Sequence, residues 1–263
     1  MAQEALFQFP PLPGDLQSTD LCYVSRDSLS PKEHNAPVSK YATYFRNAFF
    51  LTADKEVEIA TGLTVAQIQA LIDAQPKMLC DKTLTFTFKS GTHNIDSSLY
   101  FVGFCGGNLI IKGEPAIINT SVADIESFVV LSCSSDVLID NFTFSSSVSY
   151  TATTNILNIK NVNSVNLENI TATSANFNNF GRFSFFTCQG GVSTCTFNNM
   201  DRAIAIFDSS FIRVFNTNSF SSNTTDIVSS GAIGIYSGDI LTDGYTYNKL
   251  AGGALRDQAT GWL

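Results

Sequence analysis

Apolar and polar residues alternate strictly in TLTFTFKSG, with Leu84, Phe86 and Phe88 on one side and Thr83, Thr85 and Thr87 on the other. That period of two predicts a half-buried strand. Just upstream, TGLTVAQIQALIDAQPKML carries the helical period: Val65, Ile68, Leu71 and Ile72 share one face. Thr64 as N-cap and Gln67 three residues on make a capping box. Gln75-Pro76 ends the helix, because a residue before proline is pushed out of the α region. From residue 109 onward apolar doublets recur: Leu109/Ile111, Val137/Ile139, Val165/Leu167, Val192/Thr194, Ile212/Val214 and Ile240/Thr242, at steps of 28, 28, 27, 20 and 28 residues. Six quasi-periodic strands predict a solenoid.

Four residues past each first position stand Gly113, Asn141, Asn169, Thr196, Asn216 and Gly244. Glycine and asparagine tolerate left-handed backbone, so the column reads as one turn repeated in every coil. A second inward column follows it: Phe142/Phe144, Ile170/Ala172, Phe197 and Tyr245/Tyr247. Stacked coils would set these rings above one another, and six coils span a rod of about 30 Å. Open solenoid ends need caps. The helix at 65–75 stands where an N-terminal cap belongs, and Trp262-Leu263 is the candidate for closing the last coil.

The first 45 residues are built differently, with a Pro/Gly entry, a short apolar strand at Leu21–Val24, a polar loop and a helical pattern in Val38, Tyr41, Tyr44 and Phe45. Leu12-Pro13, Thr19-Asp20-Leu21, Tyr23-Val24 and Lys40 resemble the N-terminal piece of tailed-phage fibre and tail proteins. Pro76-Lys77, Gly91-Thr92, Gly103-Phe104, Gly106-Gly107, Leu109, Ile111 and Gly113 resemble the opening rungs of right-handed parallel β-helix proteins from bacteriophage virions. This second likeness covers about residues 64 to 113, and GFCGGNLIIKG is its most specific stretch. The resemblance implies an all-β chain folded as a right-handed parallel β-helix with a capping N-terminal helix. It divides the chain into a virion-attachment segment (1–45), a connector with the capping helix (46–80), the β-helix (81–250) and a C-terminal tail (251–263). Attachment would then rest on Leu12, Pro13, Asp20, Leu21, Tyr23 and Val24. The resemblance further implies a homotrimer, joined to other virion tail proteins, that contacts a host-surface glycan or protein.

Composition fits a β-rich chain: 22 Phe and 8 Tyr against one Trp, with 14% charged residues. A formal charge of −8 repels nucleic acid and anionic bilayers on average. The start, MAQEALFQFPPLPG, has neither a basic n-region nor an apolar core, and no apolar run approaches a membrane span. The expectation is a virion protein made in the host cytoplasm without a signal peptide, inserted in no membrane. Six cysteines show no C-x-x-C spacing, and His34 and His93 lie far from a cysteine cluster. No metal and no cofactor are expected. Cys105, Cys133 and Cys188 each precede a doublet by four residues, with Asn161 at the missing coil. They read as a small buried column of free thiols. Sequons at Asn119, Asn141, Asn169 and Asn223 read as structural turns rather than glycan acceptors.

Three residues past each doublet start come Lys112, Asp140, Glu168, Cys195, Phe215 and Asp243. Asp140 and Glu168 on adjacent coils would approach to about 5 Å, the separation of a retaining glycosidase pair. Lys112 in the same column favours a solvated Lys–Asp–Glu ladder instead. A second acidic candidate is Asn199–Arg202 with Asp208 and Asp226, where a short coil would dent the wall. The loops at 145–155 and 173–182, with Tyr150, Phe177, Asn178, Asn179, Phe180 and Arg182, combine aromatic rings with amide donors suited to carbohydrate. Two other readings stay open: a polysaccharide depolymerase, hydrolase or lyase, acting in a β-helix groove, and an adaptor joining other fibres to the tail or collar.

Overall fold

The computed structural model describes residues 49–178, 180–236, 246–250, 252–257 and 261–262. Leu12, Pro13, Asp20, Leu21, Tyr23 and Val24, the helical pattern at 38–45, Asn179, and Ile240, Thr242, Gly244 and Tyr245 lie outside these residues. In chain order the described residues form β1 (Lys55–Ile59), α1 (Val65–Asp73), β2 (Thr83–Phe88), β3 (Gly91–Ile95), β4 (Leu99–Val102), β5 (Cys105–Thr120), β6 (Phe128–Ser146) and β7 (Thr154–Glu168). Then come β8 (Thr171–Ala172), β9 (Gly181–Ser193), β10 (Thr196–Asn198), β11 (Met200–Phe207), β12 (Phe211–Val214), β13 (Ser219–Ser221), β14 (Thr225–Ser230), β15 (Ile233–Tyr236), β16 (Tyr247–Leu250), β17 (Ala254–Asp257) and β18 (Gly261–Trp262).

These strands coil into a parallel β-solenoid with three faces. On the first face Val57, Phe86, Ile111, Ile139, Leu167, Val192, Val214, Tyr236 and Asp257 stand in register. Nine rungs at the parallel-sheet spacing make about 38 Å of wall. The second face stacks His93, Ile118, Phe144, Ala172, Phe197 and Phe220. The third stacks Phe101, Val130, Ile159, Phe185, Ile206, Ser229 and Lys249. At the far end β18 turns back antiparallel on β17, Arg256 opposite Trp262, so the last rung pairs with its own chain.

Two parts of the coil periodicity differ in the structure from the sequence pattern. The fourth doublet is Gly190/Val192, not Val192/Thr194, and Gly190 lies on Val165 while Val192 lies on Leu167. A β-carbon at 190 would meet the Val165 carbonyl oxygen at 1.7 Å, so this inward slot holds glycine and looks polar in the sequence. The turn column accordingly passes through Thr194 rather than Thr196: Asn141, Asn169 and Thr194 have φ of 60°, 53° and 55°. A second left-handed corner joins the third face to the first, at Gly103, Ser132, Asn161, Thr187, Asp208 and Gly231.

The rings inside do not form one vertical stack. They meet mostly edge to face across the core, as in Phe88–Phe142 at 5.4 Å, Phe128–Phe144 at 5.5 Å, Phe144–Phe183 at 5.4 Å and Phe183–Phe197 at 5.1 Å. Phenylalanines from different faces interleave because few rungs carry one at the same position, and edge contacts suit their quadrupoles. Each such fully buried ring contributes about 1.5–3 kcal/mol of burial. The small column is Cys133, Val162 and Cys188, so Val162 rather than Asn161 fills the middle coil. Cys105 pairs with Ser134 and keeps partial exposure, outside that column. The described cysteines are free thiols.

Helix α1 begins with the expected capping box and buries Val65, Ile68 and Ile72. Its Gln69 side chain accepts from the Tyr100 N–H at 2.8 Å and donates to the Tyr100 carbonyl at 3.0 Å. One glutamine thereby satisfies both main-chain groups of Tyr100, on the side of β4 away from β6. Lys77 closes the other end of the helix, donating to the Ile72 carbonyl at 3.2 Å with its ammonium 4.0 Å over the Phe104 ring.

Candidate functional site

Asp140 and Glu168 do stand on adjacent coils in register, with Lys112 one coil before. Their surroundings are structural. Lys112 pairs with Glu56 at 3.3 Å, away from Asp140, while Asp140 accepts from the Asn169 amide at 2.8 Å. Lys89 bridges Glu58 at 2.6 Å and Glu114 at 3.2 Å on the same outer wall. This is a surface ladder of partly exposed charges, each pair worth about 0–1 kcal/mol. The sequon amides are likewise engaged: Asn119 on Asn94, Asn141 on the Gly113 carbonyl, Asn169 on Asp140 and Asn223 on Asp226.

The loop aromatics go inward. Tyr150 and Phe177 are 1% and 0% exposed and meet at 5.6 Å, edge to face. The Tyr150 hydroxyl lies 3.3 Å from both Thr120 Oγ1 and the Ile125 carbonyl. Phe180 packs partly against the core, and Asn178 holds the left-handed cap of the short 3-10 turn Ala175–Phe177. These loops are pinned together by their rings, so they present no aromatic platform. Asp226 is spent on structure too, accepting from Asn223 and from the Thr246 N–H and hydroxyl.

Asn178 is exposed, whereas Arg182 is half-buried and belongs to a different surface. On the outer side of the third face, Glu126 Oε1 accepts from the Asn155 and Asn158 amides, both at 2.9 Å. Asn155 Oδ1 accepts from Arg182 Nε at 2.5 Å and from the Ser184 hydroxyl at 2.7 Å. Arg182 is in register with Asn155 below and Arg202 above, so the polar line crosses four rungs. Arg202 Nε lies 3.5 Å from Asp201. Beside this line Phe186 and Phe207 stack in register, centroids 4.8 Å apart and planes 21° apart. Between the two columns run small buried residues, Ser184 and Ala205. Arg182 reaches over that strip to within 5.9 Å of the Phe207 ring centre.

Bulges create this arrangement. Met200 and Arg202 pair with Gly181 and Arg182, so Asp201 is an extra residue, and Ala203 is a second one before Ile204. Extra residues in one strand re-aim side chains and recur beside functional sites. Burial pushes the Arg182 guanidinium below its ordinary value and the Arg202 charge adds to this, while Asp201 and Glu126 oppose it. Arginine remains a cation at neutral pH all the same. Among the described residues no carboxylate forms an ion pair with Arg182.

No known family, curated protein or solved structure matches this chain. The site therefore stands on its own geometry. The sequence singles out Arg182 and the Asn199–Arg202 segment separately, but not Glu126, Asn155, Asn158, Ser184, Phe186 or Phe207. A signal existed in GRFSFF and DRAIAIF, each an arginine followed by an apolar strand ending in phenylalanine. The extra residue in the second hides the match. A shallow cleft of about 490 Å³ lies on another side, lined by Asn163, Ser164, Gln189, Phe211 and Arg213 among others. Among the described residues one arginine, Arg213, lines it. Among the described residues no cluster of three or more His, Cys, Asp or Glu is placed to hold a metal ion.

Proposed function

We propose that this chain is a rigid structural component of a tailed-phage virion, a tail fibre, spike or neighbouring appendage, that touches a host-surface glycan through its third face. The observation that carries the glycan contact is the four-rung polar line from Glu126 to Arg202 beside the Phe186–Phe207 stack. Carbohydrate recognition uses such a pairing: planar amides and guanidinium groups for hydroxyls, and an aromatic surface for the sugar ring. The parallel ladder and buried aromatic core support a rod that resists shear and proteolysis. The virion setting rests on the likeness of residues 12–40 and 64–113 to phage tail proteins, and with it go a homotrimer and attachment through the first 45 residues to other tail proteins. Mass spectrometry of purified particles tests it: peptides of this chain should appear at a fixed ratio to tail proteins, and deletion of residues 1–45 should remove them. Particles free of the chain would overturn the virion reading.

One observation favours a depolymerase as the second reading. Asp201 sits in a bulge, 3.5 Å from Arg202 and on a coil next to Arg182, where an acid and two cations face the same strip. Release of reducing or unsaturated sugar ends from host polysaccharide, abolished by Asp201→Asn but retained by Asp140→Asn and Glu168→Gln, would establish that reading.

A further inference from the structure

Arg182 and Arg202 are neighbours in register on adjacent rungs, about 4.8 Å apart along the wall. Two like charges at that distance repel; among the described residues only Arg202 has a carboxylate within ion-pair distance, while the Asp201 and Glu126 charges act on Arg182 from farther off. Asp201 reaches Arg202 through Nε, at 3.5 Å. Arg182 spends its Nε on a neutral amide, and its two terminal nitrogens have no hydrogen-bond acceptor among the described residues. A partly buried guanidinium with its fork unoccupied, beside a second one, is matched to a planar anion that takes two parallel hydrogen bonds. The Phe186–Phe207 step lies alongside and keeps part of its ring surface in solvent. A flat apolar surface next to an anion fork suits a pyranose ring carrying its own carboxylate better than a free inorganic anion.

We propose that this third-face site binds a uronic acid residue of an acidic polysaccharide, its carboxylate bridging Arg182 and Arg202 and its ring lying over Phe186 and Phe207. The assignment deepens the glycan-contact reading and rests on it. It is independent of whether the chain resides in a virion.

Calorimetric titration of the full chain with a hexuronate tetramer tests it, beside the same tetramer with its carboxyls reduced to alcohols. Saturable binding of the acid is expected, with affinity at least about tenfold lower for the reduced form. Arg182→Gln and Arg202→Gln should each weaken acid binding by about tenfold or more. Among the described residues Asp201 is the one ion-pair partner of Arg202, so Arg202→Gln removes a single surface pair and keeps the test clear of folding defects. Arg182→Lys, which keeps charge but not the fork, should fall between. Glu168→Gln on the first face should change nothing. Absence of saturable binding, equal affinity for acid and reduced tetramers, or unchanged binding in both glutamine variants would overturn the assignment. A chain present in particles yet blind to hexuronates sinks this inference alone; a chain that binds hexuronates yet is absent from particles sinks the virion reading alone.

Discussion

A β-carbon at residue 190 would lie 1.7 Å from the Val165 carbonyl oxygen, so the coil spacing there is set by the absence of a methyl group. Gly190→Ala should destabilise the fold by roughly 1–3 kcal/mol, as overpacking does, and lower the denaturant midpoint without changing the slope. An unchanged midpoint would mean the coil can shift to make room. The thiols give a second residue-scale test. Cys133, Cys188 and Cys195 are 1%, 2% and 1% exposed, and Cys80 is exposed. Burial, with the Glu168 and Asp140 charges adding to it, pushes the Cys195 thiol up to about 12. Its thiolate, the reactive form, is therefore scarce at neutral pH. Alkylation of the folded protein followed by mass spectrometry should label Cys80 within minutes and leave Cys133, Cys188 and Cys195 unlabelled until denaturant is added. Labelling of Cys195 in the native state would contradict its place in the core.

At the scale of elements, the Gln69 side chain of α1 does the work of a missing strand for β4. Gln69→Leu leaves the exposed Tyr100 N–H and carbonyl to water at a sheet edge, which should cost about 0.5–1.5 kcal/mol and raise self-association in light scattering. A variant as stable and monodisperse as the wild type would show that the helix closes the edge by packing alone. The loop before β7 is held by Asp124, which accepts from the Thr151 hydroxyl and from the Thr151 and Ala152 N–H groups at 2.8 and 3.0 Å. The Thr151 hydroxyl contributes most to holding this carboxyl below its usual range. A folded value below the unfolded one, about 3.9, means the contribution is present above that pH and lost as pH falls through the folded value. The stability gap between wild type and Asp124→Asn should be open at pH 6 and shrink below pH 4; a constant gap would exclude this linkage. Elements with a clean period were legible from residues alone: α1 with its capping box, β2, and the rungs at 109, 137 and 165. Positions that break their own pattern were not. Gly190 looks polar in an apolar slot, and Asp201 and Ala203 insert residues that disguise the match between Arg182 and Arg202. Tyr150 and Phe177 belong to loops whose polar sequence gave no hint that their rings turn inward.

For the solenoid unit as a whole, three faces of in-register parallel strands enclose one continuous apolar core, and the described surface carries its chemistry on the outside of single faces. The first face holds ion-pair ladders and the third holds the arginine and phenylalanine columns. In the proposed role such a body works by being rigid and by presenting a fixed spacing of about 4.8 Å between neighbouring contacts. Under the proposed uronate assignment, that spacing lets two arginines on consecutive rungs address one carboxylate. The central claim, a β-helical rod built into a phage tail, is tested most directly by electron cryomicroscopy of purified tailed particles. A three-faced rod with rungs about 4.8 Å apart should appear in a tail appendage, its side-chain density following Phe186 and Phe207 on adjacent rungs. Tail density fully assigned to other chains, with no place for this sequence, would contradict it.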